Sequence, residues 1–383
     1  MICSGGTSSR SAADGHLTID MRRYFRDVAY EQASEQVWIG AGASMADLLV
    51  ELSHNNRTFP TGLSGRPGMG YLLTGGVSPL SRSLGLAMDQ ILEFEGVWGN
   101  GQSFSLTIPG ELSSSEDWSL WRALNGAAPF LGVVTKLRLK TFPLQALRVW
   151  QALLTPKQLK KAIIQAEQWP KSASFQWIWS DNILAYVVVL NADQEAENCL
   201  QRLRKSLSDC IEMSDQQIPG LHQLPLFAAE QGNAKSYVRQ HSEVLSLLSH
   251  QWGSKCNEII KILHKAMAIR PDPGCCIASQ QLGGMTAAKG PKETAFIHRQ
   301  AQWKPWITAV WPAGDLRARD RSLDWLRGTW SDLEPFCLGV QMAQLHPHLS
   351  WHKQTLRSAY GGWLPSLQNL KVMLDPNGLL PRL

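Results

Sequence analysis

The stretch FPTGLSGRPGMGYLLTGGVSP, residues 59–79, decides how the rest of the chain is interpreted. It is dense in glycine and shows neither a helical nor a strand period. Glycine lets backbone N–H groups converge on an anion, because a positive φ costs it nothing and no Cβ blocks the approach. One such loop is most often an ordinary turn, so its meaning depends on the flanking sequence.

A second turn of this kind opens the chain, MICSGGTSSRS at residues 1–11, and TGGVSP at residues 74–79 repeats the composition. Several such turns close together favour a nucleotide cofactor held through its pyrophosphate. The layout is not a Rossmann fingerprint, since no G-x-G-x-x-G leads from a strand into a helix with an acid about 20 residues on. It is not a Walker loop either.

The segments around these turns alternate between strand and helix patterns. Residues 16–21 and 36–43 are strand-like, and residues 44–56 predict a helix capped by Ser44. Residues 91–107 predict a hairpin. Two further elements complete the first part: a short helix ended by glycine at residues 117–127 and a strand at residues 130–143.

From about residue 144 the pattern changes to one typical of an antiparallel sheet covered by helices on one side. Helices are predicted at residues 155–169, with Thr155 as the cap, and at 194–207, 243–252 and 255–268. Strands are predicted at residues 174–181, 183–191, 275–284, 293–299 and 306–312.

Composition excludes several classes of protein. A chain of 383 residues is longer than the length at which a single hydrophobic core stops growing, so two lobes are expected. The net charge of +5 comes without a long basic run, so no nucleic-acid partner is expected. No apolar run is long enough to span a bilayer. Seven cysteines without a C-x-x-C pair indicate reduced thiols and a cytoplasmic location.

The order of these motifs resembles the flavin domain of the vanillyl-alcohol oxidase / p-cresol methylhydroxylase (PCMH-type) superfamily, in its berberine-bridge-enzyme-like branch. Where that branch has GGHS, VGAGA, FPAGxCPxVGVGGxxxGGG and GGGGNFGVVT, this chain has GGTS, IGAGA, FPTGLSGRPGMGYLLTGGV and NGAAPFLGVVT. The resemblance continues to the C-terminal AYGGWLPSLQNLKVMLDPNGLL.

The resemblance implies an α+β, two-lobe FAD-binding fold. Residues 1–143 would form the FAD-binding domain and residues 144–354 an antiparallel-sheet-plus-helices substrate domain. Residues 355–383 would return to the FAD-binding domain. The implied cofactor is FAD, and its implied contacts are Ser4, Gly5, Gly6, Thr7, Ser8, Ser64, Gly68, Met69, Gly70, Gly75, Gly76, Gly132, Val133 and Val134.

Departures from the family pattern bear on the chemistry. Thr7 replaces the histidine, and Ser64 the cysteine, through which family members attach flavin, so any flavin is expected to be bound non-covalently. The family's Tyr-x-Asn positions fall on Ala343 and Leu345, so the catalytic base is unassigned. The family's first strand–helix–strand unit is missing before Met1, which we interpret as a truncated or misplaced start, the alternative being a lost subdomain.

Histidines elsewhere carry weaker signals. His346, His348 and His352 lie close in sequence, but a proline intervenes and no carboxylate is near in sequence, so loop residues are favoured over a metal site. His298 and Arg299 are adjacent on a predicted strand, so at most one would face the flavin, and a surface pair is the simpler interpretation.

The expected function is FAD-dependent oxidation of a small alcohol or hydroxy acid by hydride transfer, with oxygen or another electron acceptor. The alternative is a degenerate relative that acts as a binding or scaffold protein.

Overall fold

The computed structural model describes residues 1–7, 15–225 and 239–383. The first lobe is built on an antiparallel sheet with strand order β3-β4-β8-β6-β7. The first-lobe strands are β1 (Ile2–Cys3), β2 (Ile19–Asp20), β3 (Val28–Glu31), β4 (Gln36–Gly40), β5 (Arg57–Thr58), β6 (Ile91–Trp98), β7 (Ser103–Thr107), β8 (Gly132–Lys140) and β9 (Phe142–Pro143). The helices are α1 (Met45–His54), α2 (Gly70–Leu73), α3 (Ser81–Leu84) and α4 (Ser115–Ala127).

Helix α1 follows directly from its sequence. The Ser44 hydroxyl accepts a hydrogen bond from the Asp47 N–H at 3.1 Å, and the Asp47 carboxylate accepts one from the Ser44 N–H at 2.9 Å. This capping box satisfies two N–H groups that the helix leaves open. The apolar face is buried, with Met45, Leu48 and Leu52 at 0% exposure, so the predicted helix and its cap are confirmed.

The second lobe is built on an antiparallel sheet with strand order β13-β10-β12-β11-β15-β16-β14-β17. Its strands are β10 (Leu147–Leu154), β11 (Ala173–Trp179), β12 (Ile183–Leu190), β13 (Ile211–Ile218), β14 (Gln240–Ser249), β15 (Cys276–Gln281), β16 (Trp303–Pro312) and β17 (Cys337–Gln341). Its helices are α5 (Pro156–Ala166), α6 (Gln194–Ser206), α7 (Cys256–Ala268) and α8 (Leu316–Leu333).

An aromatic core fixes the helices to one face of this sheet. The Trp303 ring lies 6.3 Å from Phe175 and 5.7 Å from Trp252, measured between ring centroids. Its indole N–H donates to the Glu167 carboxylate at the end of α5, at 2.9 Å. The expected arrangement, an antiparallel sheet with helices on one side, is confirmed, and the opposite face is left to meet the first lobe.

Two predicted elements of the second lobe are wrong. Residues 243–252 were expected to be helical, yet residues up to Ser249 belong to β14, which pairs with both β16 and β17. A strand buried on both faces loses its polar alternation and is then indistinguishable from a buried helix. Residues 293–299 form a loop instead of a strand, because the Ala295 N–H donates to the carbonyls of Arg122 and Asn125 at the end of α4.

The C-terminal helices, α9 (His352–Tyr360) and α10 (Leu364–Leu374), contact the first lobe. The Asn100 N–H donates to the Leu374 carbonyl at 2.7 Å, and the Lys371 ammonium donates to the Phe130 carbonyl at 2.8 Å. The domain boundaries at residues 143 and 354 stay a prediction.

Candidate functional site

One serine hydroxyl joins the two glycine turns. The Ser4 hydroxyl donates to the Ala41 carbonyl at 2.6 Å and accepts a hydrogen bond from the Met69 N–H at 2.8 Å. Residues 4 and 69 are thus brought together across 65 positions of sequence. The only O–H donor of the Ser4 side chain is used within the protein, so its hydroxyl positions the turns.

The same turns touch through glycine backbones. A Cβ added to Gly68 would lie 2.5 Å from the Gly5 nitrogen, a distance that no real side chain tolerates. Gly6 has a φ of +67°, and a Cβ there would lie 2.8 Å from the Arg22 guanidinium. A Cβ on Gly70 would meet nothing within 4 Å. We call the two touching turns, residues 4–6 and 68–70, the cradle. It has no room for a side chain at Gly5 or Gly68 but is open at Gly70, and the Arg22 guanidinium lies beside Gly6.

The start of β8, which contains Gly132, Val133 and Val134, lies near the two glycine turns because β8 pairs with β4. The Ala41 N–H donates to the Thr135 carbonyl at 2.8 Å, next to the carbonyl that holds Ser4. On their other side these residues pair with β6, as in the register Val134 to Gly96. Strand β4 pairs with β8 only from Lys136 onwards, so the β4-side edge of residues 132–134 has no strand partner within the described parts of the chain.

Gly75 and Gly76 lie elsewhere, at the junction of the two lobes. Their φ values are +130° and +76°, and their carbonyls accept hydrogen bonds from the N–H groups of Met88 and Ala87. A Cβ on Gly75 would lie 2.9 Å from the Gln341 amide and 3.4 Å from the Phe296 ring. This segment is where the first lobe meets the sheet of the second lobe.

The remaining predicted contacts are more dispersed. The Ser64 hydroxyl accepts from the Arg66 N–H at 3.2 Å and helps to line a cavity of about 190 Å³ between α1 and Leu221. Thr7 is exposed at the end of the first turn. Ser8 lies outside the described residues.

The second lobe presents buried amides to the glycine segment. The Gln280 side-chain amide donates to the Val77 carbonyl at 3.2 Å, and that of Gln341 donates to the Thr74 carbonyl at 3.1 Å. The Gln341 carbonyl oxygen, like that of Gln176 further along the sheet, is buried without a hydrogen-bond partner. Such acceptors are costly unless a ligand or water satisfies them.

Two buried arginines hold the lobes together, and sequence reasoning missed the role of both. The Arg82 guanidinium donates to the carbonyls of Ala173, Leu282 and Trp169, at distances of 2.6–2.9 Å. Arg299 makes a bidentate pair with Asp89, both contacts being 2.8 Å. The interpretation of His298 and Arg299 as a surface pair is wrong, since Arg299 is 3% exposed and His298 contacts the Ser358 carbonyl.

Two of the histidines near the C-terminus, His346 and His348, contact a carboxylate that comes from a distant part of the chain. Glu243 of β14 contacts His346 at 2.6 Å and His348 at 3.1 Å. Burial raises the pKa of Glu243, but hydrogen bonds from the two histidines outweigh it and lower the value to about 2. Among the described residues, no group of three or more His, Cys, Asp and Glu side chains is arranged to hold a metal ion.

Two tyrosines of the described residues, Tyr71 and Tyr360, lie near the junction of the lobes, and neither is ionised. A cavity of about 10 Å³, lined among others by Thr74, Phe296 and Tyr360, has room for about one water. Burial raises the pKa values of the Tyr71 and Tyr360 phenols well above the usual range, which keeps both protonated.

The helices of the described ranges are too short or too polar to cross a membrane.

Comparison with known proteins agrees with this geometry. Residues 1–107 match the family described as FAD binding domain. An uncharacterized FAD-linked oxidoreductase of Bacillus subtilis, YgaK, is 22% identical over 96% of this chain and 81% of its own length. An FAD-linked oxidoreductase of Dictyostelium discoideum is 20% identical over 98% of this chain and 80% of its own length.

Solved structures show the same fold. A chitooligosaccharide oxidase superposes with a TM-score of 0.81 at 16% identity, covering 99% of this chain and 84% of the oxidase. Berberine bridge enzyme from Eschscholzia californica superposes with a TM-score of 0.78 at 16% identity, covering 100% and 83%. The matched domain and the fold define the class: the chain is an FAD-linked oxidoreductase. Its fold is the PCMH-type fold of the berberine-bridge-enzyme-like flavoproteins.

The residues present fit FAD at its diphosphate. The Gly5–Gly68 contact forbids a Cβ and Gly70 is open, so the backbone can approach an anion; the Arg22 guanidinium beside Gly6 is paired with Asp20. The inter-lobe cavity has room for about one water, so the residues that line it would have to move apart for a flavin ring to enter there.

Proposed function

We propose that the chain oxidises a small alcohol or hydroxy acid, using FAD that is not covalently attached. The observation that carries the proposal is the pair of buried amides, Gln280 and Gln341, that reach from the second lobe to carbonyls beside Gly75 and Gly76. A polar sheet face applied to the flavin lobe suits a substrate with hydroxyl groups.

In the proposed reaction the alcohol carbon loses a hydride and the hydroxyl loses a proton, which leaves a carbonyl compound. Bound FAD would supply the two-electron acceptor for that hydride. The proton would pass to water; Tyr71 and Tyr360 would not take it, since burial keeps both phenols protonated. Oxygen or another acceptor would then reoxidise the flavin.

Non-covalent attachment rests on Thr7 and Ser64, whose hydroxyls stand at the two positions through which family members link flavin. Acid precipitation of purified protein tests it: the flavin absorbance should stay in the supernatant. Yellow colour that remains with the washed precipitate would contradict the proposal.

Oxidation is tested by anaerobic mixing of the yellow protein with a panel of alcohols, aldoses and hydroxy acids. Bleaching of the flavin absorbance by at least one compound, with formation of its carbonyl product, is expected. Protein that retains flavin but is bleached by none of them would favour a non-catalytic binding or scaffold role.

We also propose a reducing compartment such as the cytoplasm. All seven cysteines are free thiols, although Cys275 and Cys276 are adjacent. Fractionation of cells that express a tagged chain would test this, and recovery with the secreted proteins would contradict it.

A further inference from the structure

A row of polar side chains crosses the face of the second-lobe sheet that meets the first lobe. The register pairs Lys304 with Gln280, Gln280 with Gln176, and Gln176 with Tyr186. Residues directly opposite in antiparallel strands lie on the same face, so these four side chains form one line across four strands.

The orientation of Lys304 follows from its neighbours. Trp303 belongs to the aromatic core under the helices, and adjacent strand residues point to opposite faces. Gln280, opposite Lys304, reaches the Val77 carbonyl of the first lobe. Lys304 therefore faces the junction of the lobes, beside the segment that contains Gly75 and Gly76.

Among the described residues, Lys304 has no anionic partner. Its ammonium makes no hydrogen bond or ion pair with them and lies over the Trp306 ring, 4.6 Å from its centroid. Burial lowers the pKa of this ammonium to about 8. This ammonium is half-buried against an aromatic ring and has no carboxylate beside it. Such an unpaired charge destabilises the folded protein unless a bound ligand supplies the missing negative partner.

The surrounding groups define what the ligand must supply. The ammonium needs an acceptor, preferably a negative one, and the Gln176 carbonyl oxygen, two strands away in the same row and without a partner, needs a donor. A molecule with both a carboxylate and hydroxyl groups meets both needs, whereas a neutral polyol leaves the ammonium unpaired and a cation would be repelled.

We propose that Lys304 binds the carboxylate of the substrate, and that the substrate is accordingly a hydroxy acid. This inference rests on the proposed function, because it selects the hydroxy acid from the two substrate classes named there. Lys304 is the residue that determines this specificity, while oxidation takes place at a hydroxyl-bearing carbon of the same molecule.

The experiment compares three pairs matched in length: lactate with 1,2-propanediol, glycerate with glycerol, and gluconate with glucitol. Calorimetry measures the binding of each to the flavin-loaded protein and to the Lys304→Met and Lys304→Arg variants. We expect the acid of at least one pair to bind better than its alcohol. Lys304→Met should weaken that acid about ten- to a hundredfold and leave the alcohol unchanged, as expected for the loss of one charged hydrogen bond. Lys304→Arg should retain most of the preference.

Lys136→Met is the matched control, since Lys136 also sits over an indole, with its ammonium 4.1 Å from the Trp38 ring centroid, but on the first-lobe strand β8. It should leave every affinity unchanged. Lys304→Met should also unfold at the same or a higher temperature, since it removes an unpaired charge; a purely structural lysine would give the opposite result.

A pH profile adds an independent readout. Acid affinity should fall as the pH rises through about 8, where Lys304 loses its charge, and should stay flat in Lys304→Arg. The other titratable group on this face of β14, β15 and β16 is Cys276, whose pKa burial raises to about 11. Residues 74–79 of the facing segment carry no charged side chain.

Several outcomes would overturn the inference: tighter binding of the neutral member of each pair, an equal loss for both members in Lys304→Met, or no binding by any acid. Lys304-dependent binding of acids without bleaching of the flavin would leave the carboxylate site standing and count against the proposed oxidation alone. Bleaching by neutral alcohols that Lys304→Met leaves unchanged would do the reverse.

Discussion

Substitution of Gly68 by alanine tests whether the two glycine turns stabilise each other. The added Cβ would lie 2.5 Å from the Gly5 nitrogen and 2.8 Å from its Cα, so one turn has to move away from the other. That movement would separate Ser4 from the Met69 N–H, which it now accepts at 2.8 Å, and would strain its bond to the Ala41 carbonyl.

The expected loss follows from two terms. Overpacking a closed site costs about 1–3 kcal/mol, and each hydrogen bond lost costs about 0.5–1.5 kcal/mol. Because the two terms overlap at neighbouring atoms, we expect the free energy of unfolding to fall by about 2–4 kcal/mol. At about 2–4 °C per kcal/mol, Tm should fall by roughly 4–16 °C.

The assay is thermal unfolding followed by near-UV circular dichroism, with and without added FAD. Gly110→Ala is the neutral control and Gly70→Ala the matched one, because a Cβ at either position meets nothing within 4 Å. Gly70→Ala should keep its Tm without FAD but bind FAD more weakly if the diphosphate approaches its backbone. A Gly68→Ala protein that unfolds at the same temperature as Gly70→Ala would refute the argument.

Three further outcomes are expected. Gly6→Val should abolish flavin retention, because the added side chain would block the close approach of the diphosphate to the backbone at a φ of +67°. Gly101→Val, also at positive φ but in open space, should retain flavin; equal flavin content in both folded variants would contradict this. Arg82→Met should lower the free energy of unfolding by about 3–5 kcal/mol, since it leaves three inter-lobe carbonyls without donors, and an effect as small as that of the exposed Arg357→Met would count against it. Glu243→Gln should reduce stability at pH 7, and its difference from the wild type should shrink as the pH falls from about 4.5 towards 2. Glu243 has a lowered pKa of about 2, so its contribution is present above its unfolded value of 4.5 and lost on acidification; a pH-independent difference in urea unfolding would exclude this linkage.

Local pattern was sufficient for the elements whose signals lie within a few residues. Ser44 with Asp47 predicts the start of α1, and Thr155 followed by Pro156 predicts the start of α5. Both signals are visible in the sequence because a capping group acts within a single helical turn. The resemblance then supplied the class of protein and its cofactor. Local pattern failed at β14, where burial on both faces removes the alternation on which a strand prediction depends.

What only the tertiary structure decided is which distant residues meet. Ser4 reaches Met69 and Ala41, Arg82 reaches carbonyls up to 200 positions away, and Glu243 lies between histidines more than a hundred positions later. The unpaired state of Lys304 is equally invisible in sequence, since it depends on which side chains β14 and β15 place beside it. Spacing along the chain determines helices and turns because their hydrogen bonds are local, whereas the contacts of a buried charge are set by the register of strands brought together from distant parts of the chain.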